Sequence, residues 1–405
     1  MPYRILRLLL LCLFATTVVH AQPTPNLVVA YLKNDDLRVW RAVDNSTTIY
    51  TVGEPFSPYL SPDGQYIAYT TARTNSIWLV VPDNPEPIEI LPQAALAENG
   101  SRLLGFSLLE WSKDNNLYFT TFVESPTHYR KSDVWVVNAK TLSIEKFLPS
   151  TESGILTLSP DYSKVAISQP GKYDETEGSI RLLDVQSHEE LTRFTFPAVS
   201  TASSIDFYPI ISWSADSQYV NVAIPDKDLI YYEKNGPITL WRLGLDASQT
   251  QLGEIEGSFF GLPQWSDDGQ HIFYVSHNGP FADNIIDLYT ANGDGSNPIY
   301  AAGGKIGAIK LPNWIAHTHL LYYRSGVHDT GQAWLAEPGQ SSQPFAGTYW
   351  DIQFVDSSTY VFVGSPDQND YGFYYNSLNS NQPVLIDPDD NYIPRFDAVL
   401  IPPPA

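Results

Sequence analysis

Cysteine, methionine and positive charge are all scarce in this chain. It carries one cysteine and one methionine in 405 residues. Cys12 lies in the opening segment, so the rest of the chain can form no disulfide and do no thiol chemistry. Lysine and arginine number 23 against 45 acidic residues, a net charge of −22 at pH 7. A surface of that sign repels nucleic acid and anionic lipid, which argues against both as partners. Long apolar runs are lacking too. The run from Leu8 to Phe14 follows Arg4 and Arg7 and precedes the small-residue site Val19-His20-Ala21. It is too short to cross a bilayer, and no later stretch approaches ~20 apolar residues. This pattern reads as a secretory signal over residues 1–21 with a linker over 22–26. Leu9-Leu10-Leu11 lacks the small residue that a lipoprotein signal places before its cysteine, so release rather than lipid anchoring is expected. The expected location is periplasmic, extracellular or cell-surface associated, with no membrane span. Loss of Arg4 and Arg7 leaves 21 basic residues and a net charge of −24.

What is present is a recurring phrase. Leu60-Ser61-Pro62-Asp63-Gly64 returns as Trp111-Ser112-Lys113-Asp114, Leu158-Ser159-Pro160-Asp161, Trp213-Ser214-Ala215-Asp216 and Trp265-Ser266-Asp267-Asp268-Gly269. Weaker copies stand at Trp314, Phe354 and Phe396, and successive anchors lie 40 to 55 residues apart. That period, filled with short strands, marks the blades of a β-propeller. Each phrase is a turn between a strand a that ends at the anchor and an apolar strand b, as in Gln65-Tyr66-Ile67-Ala68-Tyr69. Pro presets φ, Asp bonds its own backbone, and Gly tolerates positive φ. A second column marks strand c: Trp40, Trp78, Trp135, Trp241, Tyr289, Trp334 and Tyr374, with Arg181 in the third motif. The aromatics of both columns, Trp111, Trp213, Trp265 and Trp314 among them, are expected to pack between blades. The turn acids Asp63, Asp114, Asp161, Asp216 and Asp268 are expected to be structural.

Closure follows from counting. Trp40 has no strand a before it, and Phe396 ends an a-type strand with nothing after it. Pairing the two ends makes an eighth four-stranded blade and removes exposed sheet edges. The prediction is an all-β propeller of eight blades over 27–400, a single domain with a Pro-rich tail at 401–405. Seven blades with ragged ends is the alternative.

The W/L-S-P-D-G turn and its apolar b strand resemble the TolB-like, WD-like propeller repeat. The c strand and turn Asp287-Leu288-Tyr289-Thr290-Ala291-Asn292-Gly293-Asp294-Gly295-Ser296 are similar to that repeat as well. The resemblance implies a propeller over nearly the whole mature chain and says little about function. TolB itself carries an α/β domain ahead of its propeller, for which this chain offers no segment. Related peptidases carry an α/β-hydrolase domain, and no Gly-x-Ser-x-Gly elbow occurs here.

The b–c connections are long and unequal, whereas the a–b turns are tight. Such loops on a rigid scaffold usually carry binding. Tyr129, Arg130, Tyr173, Tyr231, Tyr232, Phe281 and Tyr371 are the expected contacts, because rigid aromatics and arginine give contact area at low entropic cost. The expected function is a non-catalytic binding or scaffold propeller, a monomer, that recognises a protein, peptide or glycan. The alternative is a propeller hydrolase or lyase acting on a glycan or peptide at the channel mouth. No cofactor, no metal and no catalytic residue is assigned. His128, His277 and His328 share one loop class but have no local ligand spacing. The run Asp387-Pro388-Asp389-Asp390-Asn391 offers oxygen ligands, yet reads more simply as a turn.

Overall fold

In the computed structural model the described residues are 26–401, apart from connecting stretches at 52–54, 72–75, 82–83, 85, 92–101, 125–128, 149–151, 153, 172–175, 202–205, 230–234, 279–284, 306–308, 316–318, 325–331, 337–341, 346, 367–370, 381 and 389–394. Side chains at 51, 91, 102–105, 107–109, 122–124, 129–132, 260, 305, 309–324, 332 and 348 are also outside the description. The opening 1–25, including Cys12 and the expected signal, lies outside it too.

The described strands form eight four-stranded antiparallel sheets. Seven are continuous in the chain, each ordered a-b-c-d. The eighth is shared: Leu27–Lys33, Asp36–Arg41 and Ser46–Thr51 supply b, c and d, and Phe396–Leu400 supplies a. The a strands of blades 1 to 7 are Pro55–Leu60, Arg102–Trp111, Ile155–Leu158, Ile211–Trp213, Gln264–Trp265, Ile309–Ile315 and Thr348–Phe354. The turn Phe259–Gly261 is a short 3-10 helix.

The c column keeps one register throughout. Trp40, Trp78, Trp135, Arg181, Trp241, Tyr289, Trp334 and Tyr374 pair with Val29, Tyr69, Phe119, Ile167, Val222, Tyr274, Tyr322 and Phe362 of the adjacent b strand. In blades 1, 2, 4, 5 and 7 the c–d pairing slips by a bulge immediately before this aromatic. The bulge adds local twist.

Every joint between neighbouring blades carries buried apolar residues. One cluster runs through blades 3, 4 and 5 and includes Phe196, Trp213, Val222, Leu240, Trp265 and Ile272. Smaller clusters join the remaining neighbours. The shared sheet packs on both sides, against blade 7 through Tyr31, Trp40 and Phe373 and against blade 1 through Val28, Leu37 and Tyr69. The ring is therefore closed.

One expectation is corrected. Phe396 is not the anchor of the closing strand; Leu400 is. Leu27 pairs with Leu400, and Ile401 N–H donates to Asn26 O at 2.9 Å. In blade 1 the equivalent bond runs from Ser61 N–H to Tyr66 O. Phe396, Ala398 and Leu400 share one face of the strand, so alternation alone could not choose between them.

The seam between blades 7 and 8 is polar as well as apolar. Asp387 is buried at the end of Val384–Asp387, accepts the Tyr31 hydroxyl at 3.0 Å, and pairs with Lys33 and with Arg38 at 3.3 Å. Its carboxylate is thus committed to the seam. Burial, then the Asp387 charge, pushes the Tyr31 hydroxyl up to about 12.

Candidate functional site

The a–b turns form one rim of the ring, and their phrase is a hydrogen-bonded clip. Ser61, Ser159 and Ser266 hydroxyls donate to Asp63, Asp161 and Asp268 at 2.6, 2.7 and 2.6 Å. The same aspartates, and Asp216, accept the backbone N–H two residues on. Partial burial raises the Asp161 carboxyl, but the Ser159, Ser163 and Ser217 bonds outweigh it and bring it down to about 2. Asp114 is exposed, and the neighbouring Asn115 instead bonds Asp63 of the preceding blade at 2.8 Å. These acids hold turns.

The fifth turn position needs a left-handed backbone. Gly64, Asn115, Ser217 and Gly269 adopt φ of 64°, 60°, 61° and 67° there. Blade 3 puts a tyrosine at that place: Tyr162 has φ 64°. A bulky residue in this region costs roughly 1–2 kcal/mol.

Just inside the rim, strand a leaves its inner edge unpaired within its own sheet. Side chains of neighbouring blades satisfy it. The Trp111 indole N–H donates to Tyr59 O at 3.0 Å, and the Trp213 indole to Thr157 O at 3.1 Å. Trp265 departs from this rule and bonds Gly293 O of its own c–d turn. The anchor N–H groups are capped from the preceding blade. Leu158 N–H donates to Glu110 Oε2 at 2.8 Å, Leu60 N–H to Asp397 Oδ2 at 2.6 Å, and Trp265 N–H to Ser212 Oγ at 3.4 Å.

Two clefts open beside these caps. The larger, about 570 Å³, spans blades 2 to 5 and is lined by Glu110, Tyr162, Ser212, Ile211, Asp267 and the anchor tryptophans. The other, about 420 Å³, spans blades 7, 8, 1 and 2, reaches Tyr162 of blade 3, and holds Gln353 and Asp397. A separate hollow of about 320 Å³ surrounds Glu145 and His188. Tyr162 and Trp111 line both of the central clefts, so the tyrosine stands between them at the mouth. Burial pushes the Glu110 carboxyl up to about 7, against the Leu158 bond that lowers it. Burial and then the Glu110 charge raise the Tyr162 hydroxyl. The Lys113 ammonium lies 5.6 Å from the centre of the Tyr162 ring. A carboxyl that changes charge near neutral pH inside a cleft can exchange a proton or accept a cation.

The b–c connections run on the opposite face. Tyr371 is described there: half-buried, it stacks on Trp350 at 5.2 Å and 15°. Trp350 is the one tryptophan outside the two columns. Tyr129 and Arg130 are placed in strand Tyr129–Asn138, but their side chains are not described. Tyr173, Tyr231, Tyr232 and Phe281 lie outside the described residues, as do His128 and His328. His277 is buried at the end of strand His271–His277. Trp314 is in strand Ile309–Ile315, its side chain not described. Among the described residues no group of three His, Cys, Asp or Glu could hold a metal, and no helix is long and apolar enough to cross a membrane. The b–c connections are unequal, but they are not all long. Blade 8 turns through Asn34-Asp35, both with positive φ, as a two-residue type I′ hairpin does.

Sequence reasoning missed Glu110 and Tyr162. Glu110 precedes an anchor, where Tyr59, Thr157, Ser212, Gln264 and Gln353 stand in other blades. Tyr162 replaces the glycine of the turn, which is a readable departure.

No protein-family model matches the chain, and no curated protein matches it in sequence. Solved structures do share its shape. A eukaryotic initiation factor superposes with a TM-score of 0.53 at 12% identity, covering 95% of this chain and 92% of that one. Dihydro-heme d1 dehydrogenase NirN in complex with DHE gives 0.53 at 11% identity, covering 94% and 76%. TolB from Acinetobacter baumannii gives 0.34 at 15% identity, covering 70% and 66%. At these identities the likeness extends to the β-propeller fold alone.

Proposed function

We propose that the chain is an exported, non-catalytic binding or scaffold propeller of TolB-like, WD-like repeats. It acts as a monomer and grips a protein, peptide or glycan with its b–c loop face. One observation carries the reading: the two faces are built unequally. The a–b turns of blades 1, 3 and 5 are pinned by the same serine–aspartate clip, whereas the b–c connections vary from Asn34-Asp35 to the stretch 226–235. Variation confined to one face of a rigid scaffold suits recognition. Tyr371, stacked on Trp350, is a preorganised aromatic on that face, and Tyr129, Arg130, Tyr173, Tyr231, Tyr232 and Phe281 share its loop class. The test is capture of bound species from the organism's own culture by the mature protein, identified by mass spectrometry. Replacing Tyr231, Tyr232 and Tyr371 with Ala should abolish capture at an unchanged melting temperature. Capture that survives the triple variant would refute the face assignment.

A second reading is favoured by Glu110 alone. A carboxyl raised to about 7 in a cleft is suited to general acid work, as a hydrolase or lyase at the channel mouth would need. Turnover of a glycan or peptide panel, lost in Glu110→Gln, would establish it in place of the binding reading.

A further inference from the structure

The cleft beside Tyr162 lies on the a–b rim, away from the face assigned above, and its lining has a definite chemistry. Carboxylates of Glu110 and Asp267 line it, and none of its lining residues is a lysine or arginine. Its volume of about 570 Å³ is that of a small-ligand site. The chain as a whole carries −22 charges, so a cation is drawn toward it from a distance.

Glu110 restricts the kind of cation. Oε2 already accepts the Leu158 N–H at 2.8 Å, and no other hydrogen bond to this carboxylate occurs among the described residues. One oxygen is thereby left for the cleft. A guanidinium is best met by both oxygens side by side, whereas an ammonium is a point charge that one oxygen satisfies. The Tyr162 ring adds an aromatic face, and that ring already attracts one ammonium, the Lys113 side chain. The turn carries Tyr162 at φ 64°, where its relatives have Gly64 and Gly269. A strained residue held at the mouth of a cleft is consistent with use there.

We propose that this cleft binds an alkylammonium group, with Glu110 Oε1 as its counter-ion and the Tyr162 ring as its aromatic wall. Asp267 adds negative charge from the rim of blade 5, and Lys113 is the competing internal cation beside Tyr162. Free polyamines and lysine side chains share this chemistry, and two probes separate them.

The test is calorimetric titration of the whole mature chain with spermidine and with Nα-acetyl-lysine-N-methylamide. At pH 8 at least one probe should bind, and the arginine analogue of the second should bind at least tenfold more weakly than the lysine compound. Binding of both probes points to the ammonium alone, and binding of one identifies its source. Affinity should fall at least tenfold at pH 5.5, where Glu110 takes up a proton. Glu110→Gln should abolish binding at pH 8. Tyr162→Gly restores the ordinary turn residue and should weaken binding tenfold while thermal unfolding stays cooperative, so a folding defect cannot explain the loss. Tyr371→Ala, on the other face, should leave binding unchanged. Binding of neither probe at pH 8 would overturn the proposal, as would affinity undiminished in Glu110→Gln.

Discussion

Glu110 and Asp397 perform the same local task in different blades, and their surroundings separate them. Each carboxylate accepts the anchor N–H of the next blade, Leu158 in one case and Leu60 in the other. Burial raises both carboxyls. Asp397 accepts in addition the Gln353 amide at 3.1 Å and the Ala398 N–H at 2.9 Å. Glu110 accepts the Leu158 bond only, among the described residues, and borders the larger cleft. Asp397 is used up in closing the ring; Glu110 retains an oxygen for something else. A buried carboxylate is thus structural or available according to how many of its acceptor positions the fold has filled.

Loss of the closing strand should damage the ring most severely. A chain ended at Asp390 lacks strand Phe396–Leu400 and with it Asp397, and should lose cooperative thermal unfolding altogether. A melt like that of the intact chain would show that the ring does not depend on this strand.

The next largest effects, roughly 3–5 kcal/mol each, are expected from Asp387→Ala and Trp213→Ala. The first leaves Lys33 and Arg38 at the seam without their shared carboxylate. The second empties the joint between blades 3 and 4. Denaturant midpoints would measure both.

Glu110→Gln sharpens the contrast through pH. The folded state holds its proton up to about 7, and an unperturbed glutamate loses it near 4.5. Stability conferred by the protonated form is therefore present below pH 4.5 and lost as pH rises toward 7. The variant should match the wild type at pH 4 and exceed it at pH 8 by up to about 3 kcal/mol. Equal stability at both pH values would remove Glu110 from the comparison. The smallest net change is expected from Tyr162→Gly, where release of about 1 kcal/mol of left-handed strain is offset by loss of the ring's packing between blades 2 and 3; denaturant midpoints would measure it.

Much of this fold was legible in the sequence because its signals repeat. The anchors, the c column and the unmatched strands at the two ends each point to the same sheets, and eight sheets form, one of them from both ends. The register at the far end was not legible. Phe396, Ala398 and Leu400 alternate on one face, and only the bond from Ile401 to Asn26 distinguishes the anchor. The cleft was hidden for another reason. Glu110 is one of 45 acids, and nothing local marks it. Its character comes from Leu158, 48 residues away, and from burial by neighbouring blades. Tyr162 was nearer to legible, since a tyrosine where the turn favours glycine is a visible exception.

Carbon-detected NMR titration of selectively labelled glutamate side chains would read the ionisation of Glu110 itself. The Glu110 carboxyl, assigned through its loss in Glu110→Gln, should titrate near pH 7, and spermidine at saturating concentration should pull the midpoint down. A midpoint near 4.5, unmoved by the amine, would contradict the claim that the fold holds this acid buried with one oxygen still open to the cleft.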